Sequence, residues 1–232
     1  VNKKPTAHTF VRPATRDDAD AIGSIHARTM QAAVRAALGH ALPAAVTSRF
    51  DQALFTAQWA AAVAAPREAD IHVLCAVSAG RIVGFTAVAP TVRVPDAALS
   101  SGATSTRDQA DTQQLPSPGV SDASAPSRDG APSADEGADV VAAPPSGRVV
   151  YEFTALEVAA SDQRQGHGSR LLAAATDIAR GRGATEAQLW VLAGDDAHTS
   201  FLASAGFAPS GLRRSLDIGG SIAIQHCWHA EL

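Results

Sequence analysis

Apolar residues recur along this chain in two rhythms, one helical and one alternating. Phe10 to Pro13 reads as a short strand. Thr15-Arg16-Asp17-Asp18 then looks like a helix start, with a Thr cap and acids in the first turn. Ile22, Ile25, Met30 and Val34 follow at near-helical spacing, and Gly39 and Pro43 mark the end or a break. A second helix is predicted over 51–64, with Leu54, Phe55, Trp59 and Val63 facing inward and Pro66 stopping it. Two strands come next, 71–78 and 81–88, joined by the hairpin signal Ala79-Gly80. Further on, 148–158 reads as a long strand and 169–180 as a helix carrying Leu171, Leu172, Ala175, Ile178 and Ala179 on one face. A strand over 186–192, a short helix over 195–205 and a closing pair of strands over 212–218 and 221–228 complete the order. The strand–helix–strand unit over 149–192 is predicted to be right-handed and parallel.

The segment 93–147 breaks both rhythms. It has no Phe, Trp or Tyr and holds seven of the 13 prolines. Eight acids against three arginines leave it at −5, so the rest of the chain stands near +1 although the whole carries −4. Such a stretch buries too little apolar area to offset the entropy of ordering it, and is predicted to be a disordered insertion. The chain of 232 residues then reads as a single domain over 1–232, interrupted at 93–147. A net-acidic chain is a poor match for nucleic-acid phosphates. No apolar run approaches the ~20 residues of a membrane span, and VNKKPTAHTF carries no secretory core. Two distant cysteines, Cys75 and Cys227, exclude a disulfide framework. A cytoplasmic protein with no nucleic-acid or membrane partner is expected.

The chemistry concentrates in Tyr151 to Leu172. Here a strand ends at Val158, and Gln163-Arg164-Gln165-Gly166-His167-Gly168 opens a helix. Glycines at a helix N-terminus let backbone N–H groups approach an anion closely, and the helix dipole adds about half a positive charge. No Gly-Lys-Ser/Thr follows, so it is not a Walker loop, and a third glycine is missing for a dinucleotide fingerprint. By itself the pair of glycines fits a tight turn equally well.

The chain resembles the GNAT superfamily of acyl-CoA N-acyltransferases at four places in the family's order. VRPATRDDADAI is similar to its first strand and helix, and Ser78 to Phe85 to the hairpin of its second and third strands. Gln163 to Gly168 fits its [Gln/Arg]-x-x-Gly-x-[Gly/Ala] signature, and Phe201 to Phe207 resembles its Phe-Tyr-x-x-x-Gly-Phe. The resemblance implies an α/β fold: a mixed, mostly antiparallel seven-stranded sheet flanked by helices and splayed between strands four and five. It implies acetyl-CoA as co-substrate, no metal, and an amine acceptor on a small molecule or peptide, in a monomer or homodimer. A sequential acetyl transfer by direct attack is expected, with an acyl-CoA-binding or sensing module of weak or no catalysis as the alternative.

Residue roles follow from the same resemblance. Backbone groups of Leu156, Glu157 and Val158 would pair with the pantetheine arm. Gln163, Arg164, Gln165, Gly166, His167, Gly168 and Ser169 would cradle the pyrophosphate; Arg164 and His167 would add side-chain contacts or be solvated turn residues. Asp195 stands where many relatives carry Asn, and also reads as a helix cap. For the base that takes the amine proton, Glu152 lies eleven residues before Gln163, where relatives that acetylate protein lysines carry theirs. By alternation it shares a face with Leu156 and Val158, whereas Glu157 falls on the opposite face beside the thioester. A third possibility is no dedicated side-chain base. The tyrosine that often protonates the leaving thiolate falls at Leu202, which carries no proton; His198, one turn earlier, is a possible substitute. Tyr151, the chain's only tyrosine, is of opposite parity to Glu152.

Overall fold

The structure, a computed structural model, describes residues 8–39, 44–91 and 148–232. The expected insertion at 93–147 lies outside them. The elements run β1 (Thr9–Pro13), α1 (Ala19–Leu38), α2 (Ala44–Thr47), α3 (Gln52–Val63), β2 (His72–Ser78), β3 (Arg81–Thr91), β4 (Val150–Val158), α4 (His167–Gly181), β5 (Glu186–Leu192), α5 (Asp196–Ser204), β6 (Ala208–Ile218) and β7 (Ser221–Glu231). The seven strands form one sheet in the order β1-β2-β3-β4-β5-β7-β6. Its pairs are antiparallel except β4 with β5, which α4 connects as a parallel unit. No helix among the described residues is long and apolar enough to cross a membrane.

Two apolar layers sandwich the sheet. On one face α1 and α3 pack Ile22, Val34, Phe55 and Trp59 against Cys75, Phe85, Ala155 and Leu216. On the other, α4 and α5 pack Leu171, Leu172, Ala175 and Leu202 against Val83, Val88, Phe153 and Leu189. Leu54, expected inside, is 46% exposed. It occupies the first turn of α3, whose inward stripe runs through Phe55, Trp59 and Ala62 instead.

The helix starts are set by carboxylates. Asp51 caps α3 by accepting from the N–H groups of Ala53 and Leu54. Ahead of α1, the Thr15 N–H donates to Asp18 at 2.7 Å, and the Arg12 guanidinium grips the same carboxylate at 2.6 and 2.8 Å. This joins β1 to the first turn and holds Asp18 at about 2, Arg12 being the main cause. A group whose folded value is depressed stabilises the fold above its unfolded value, and that contribution disappears as pH falls through the folded one. We therefore expect stability to drop between about pH 4 and pH 2 by more in the wild type than in Asp18→Asn, as read from melting curves across that range. Parallel losses in the two proteins would exclude this contribution.

Candidate active site

The site begins with a defect in β4. Pairing with β3 runs from Thr91↔Val150 to Val88↔Phe153, then resumes at Ala87↔Ala155. Thr154 is the extra residue of a β-bulge. A bulge shifts alternation by one position. Before it, Tyr151 and Phe153 face the α4 layer; after it, Leu156 and Val158 do. Glu152, Ala155 and Glu157 therefore share the α1/α3 face. The expected parity, with Glu152 and Glu157 on opposite faces, is overturned, because strict alternation takes no account of an inserted residue.

At the same point β4 parts from β5. Their register covers Val150↔Glu186 to Phe153↔Leu189 and stops. Beyond it the two strands diverge and leave backbone groups of β4 without a β5 neighbour. A cavity of about 80 Å³ lies in this fork. Phe153 to Glu157 of β4 line it, with Leu189 and Trp190 of β5, His26 and Met30 of α1, Phe55 of α3 and His198 of α5. A larger, open hollow of about 640 Å³ lies over Arg28, Phe50 and Asp51, and touches neither β4 nor β5.

Glu157 dominates the electrostatics. Burial pushes its carboxyl up to about 7, the charge of Asp195 adds to the rise, and contact with the Thr29 hydroxyl opposes it. It pairs in register with Phe85 of β3. Gly84, next to Phe85, cannot carry a side chain: a Cβ there would meet the Glu157 carbonyl oxygen at 2.7 Å. Asp195 caps α5, accepting from the His198 N–H at 3.0 Å. The His198 Nε2 is buried without a partner among the described residues, and burial lowers its pKa. On the other wall, Trp59 donates its indole N–H to His26 Nδ1 at 3.0 Å, which makes Nδ1 the acceptor. Burial holds His26 down at about 4, so the ring is neutral.

Glu152 lies deeper along β4, half-buried, and accepts from Gln188 Nε2 at 2.9 Å. It does not line the cavity. Tyr151 is buried and donates its hydroxyl to Asp70 at the far end of the strand. Its phenol is pushed up to about 12 by burial and by Asp70. Leu202 is fully buried in the α4/α5 layer.

The turn before α4 forms the other half of the site. Gln163 Nε2 donates to the Val158 carbonyl at 3.2 Å, tying the turn to the end of β4. Arg164 and Gly166 both have positive φ, 62° and 79°, and Gly166 is the α4 cap. The first-turn N–H groups of α4, around His167, Gly168 and Ser169, have no helical acceptor behind them. Asp162, buried under the turn, is held by Arg81 at 2.5 Å and by Ser161 at 2.6 Å. The His167 side chain is not a solvated turn residue: it is 3% exposed, and neither ring nitrogen has a partner among the described residues.

The structure brings Leu156 and Glu157 to the wall of the fork, with Asp195 at the cap of α5 and the glycine turn tied to the end of β4. His26 and Thr29, which carry no signal beyond ordinary helix positions, join them there. Trp190 stands beside the fork because β4 and β5 diverge there, and that divergence leaves no periodic signal in the sequence.

Comparison with known proteins agrees with this geometry. The profile of the Acetyltransferase (GNAT) family matches residues 138–207, which span β4, the glycine turn, α4, β5 and α5. The match covers 70 of the 232 residues, and the solved structures to which the chain is similar share its GNAT-like fold. Among solved structures it is similar to the ribosomal-protein-alanine N-acetyltransferase of Brucella melitensis: TM-score 0.56, 16% identity, 96% of this chain and 99% of that one. It is also similar to yncA from Salmonella typhimurium, solved with its cofactor acetyl-CoA: TM-score 0.53, 15% identity, 97% and 94%. A third is Arabidopsis thaliana NAA60 in complex with a bisubstrate analogue: TM-score 0.57, 12% identity, 97% and 98%. No curated protein sequence matches significantly.

The buried histidine gives a direct test. Two polar atoms without partners cost about 1–3 kcal/mol when desolvated, and an apolar residue of similar shape removes that cost. His167→Leu is expected to raise the melting temperature of the free protein. A fall would mean that the ring has a partner that the folded chain needs.

Proposed function

We propose that this protein is an N-acetyltransferase that moves the acetyl group of acetyl-CoA to a primary amine by direct attack. The observation that carries the reading is the cavity in the β4/β5 fork, with a carboxyl pushed up to about 7 on its wall. The chain's residues fit the co-substrate. Unpaired backbone along Leu156 to Val158 suits the amide-bearing arm of an acyl-CoA. The bare N–H groups at the start of α4 suit its pyrophosphate. Acetyl-CoA supplies an activated thioester.

Glu157 takes the proton. As the amine nitrogen bonds to the acetyl carbon, the carbon–sulfur bond breaks, the electron pair leaves on sulfur, and the amine proton goes to Glu157. A base poised near the working pH accepts a proton without being permanently protonated. Glu157 is favoured over Glu152, which is engaged by Gln188 away from the cavity wall. The lowered pKa of His198 leaves it neutral at rest, which disfavours it as the acid. Leu202 has no proton to give, so the thiolate leaves without a dedicated donor. That favours a second reading, an acyl-CoA-binding module with little turnover, which release of free thiol across an amine panel distinguishes.

Glu157→Gln is expected to lower kcat at least ~100-fold with acetyl-CoA binding retained, since general-base catalysis is typically worth 10²–10⁴-fold. The acid limb of the wild-type rate profile, set near pH 7, should vanish in this variant. Asp195→Asn keeps the helix cap but removes a negative charge near Glu157. Glu157 should then ionise more easily, and the acid limb should move to lower pH. A limb that stays in place in Asp195→Asn and persists in Glu157→Gln would rule Glu157 out.

A further inference from the structure

The sheet face that holds Glu152 and Glu157 continues across β5, β7 and β6, and there it carries a second charged feature. Arg214 starts on β6, beyond β7. Its guanidinium lies over the Trp190 ring on β5, 4.4 Å from the centroid. Trp190 is one of the residues lining the fork cavity. Arg214 is thus a partly buried cation stacked on a residue that lines the cavity.

Its hydrogen bonding is incomplete. Nε donates to Gln225 Oε1 at 2.7 Å. The two Nη groups have no partner among the described residues, and no carboxylate forms an ion pair with them. Glu152 is close enough for its charge to favour the guanidinium, but the two do not pair. Glu152 is half-satisfied in the same way: Oε2 accepts from Gln188, and Oε1 has no partner among the described residues. Gln188 and Gln225, each 7% exposed, hold one charged group apiece. Two opposite charges stand near each other, each anchored at one end and free at the other. The open Nη groups and Oε1 are hydrogen-bonding positions that a ligand of matching charge can fill.

We propose that Arg214 and Glu152 form the acceptor subsite, and that it takes an amine carrying a carboxylate a few bonds away, an amino-acid-type acceptor. The free Nη pair forms a fork that matches a carboxylate bidentately. Glu152 and Glu157, on one face, draw the ammonium end toward the cavity. An acceptor with both charges completes both groups; a simple amine leaves the guanidinium unpaired. The subsite rests on the acetyltransferase reading for the fate of the amine, but not for its binding.

The test measures binding and turnover separately. Calorimetry with the coenzyme A complex compares the common α-amino acids, their carboxamides and the corresponding decarboxylated amines. Acetyl transfer is followed by thiol release with the same panel. The expected result is binding of at least one amino acid that its carboxamide loses by about 10- to 100-fold, the range of a charge-assisted pair. Arg214→Met keeps an apolar stem over Trp190 and should abolish the difference, without changing the affinity for coenzyme A. Wild-type protein that binds acid and amide alike, or binds neither, overturns the subsite whether or not Arg214→Met folds. Carboxylate-dependent binding without thiol release upholds the subsite and removes the catalytic reading. Thiol release that is as fast with amines lacking a carboxylate does the reverse.

Discussion

The arrangement of the site depends on one extra residue in β4. Thr154 has no partner in β3, and at that level β4 also loses β5. A bulge bends its strand and raises its local twist, which ends regular pairing. Here that opens a fork between two parallel strands in the middle of an otherwise continuous sheet. The Thr86 hydroxyl donates to the Ala155 carbonyl at 2.8 Å and anchors the strand just past the bulge. The same residue inverts the alternation, so that Glu157 faces the helices α1 and α3 rather than α4. One local irregularity thus supplies both the opening and the aim of the carboxyl.

What surrounds that carboxyl determines its chemistry. Aromatic and apolar groups on α1 and α3 remove water, which disfavours the charged form. Asp195, fixed as the cap of α5, adds like charge from the other side of the fork. Two elements far apart in sequence therefore tune one group, and each is held by ordinary structural duties: core packing for one, helix capping for the other. The role needs no special motif, so a scan for motifs does not find it.

Most of the architecture is legible in the sequence because it rests on patterns with a physical period. The hairpin at Ala79-Gly80, the caps at Asp51 and Asp195, and the glycine turn before α4 are local signals, and each appears where local chemistry puts it. Element ends moved by a few residues, as β3 and β6 did, because apolar alternation fades before pairing ends. The site was less legible. Its parity rests on the bulge, and nothing in Phe153-Thr154-Ala155 marks one. The inward turn of His167 was equally hidden, since a polar residue beside two glycines reads as solvated.

The pairing of charges on the open half of the sheet limits what the acceptor side can tolerate. Gln188 and Gln225 are nearly buried, and each spends its polar end on a charged neighbour. A glutamine in that position fixes a side chain without neutralising it. Ion pairing of Glu152 with Arg214 would have cancelled both fields and left the surface indifferent to charge. Keeping them apart leaves each with open hydrogen-bonding positions that a ligand carrying both charges can fill. The β6 arginine thereby acts with the β4 carboxylates across the two intervening strands, β7 and β5, and the half of the sheet beyond the fork belongs to the acceptor subsite rather than only supporting it.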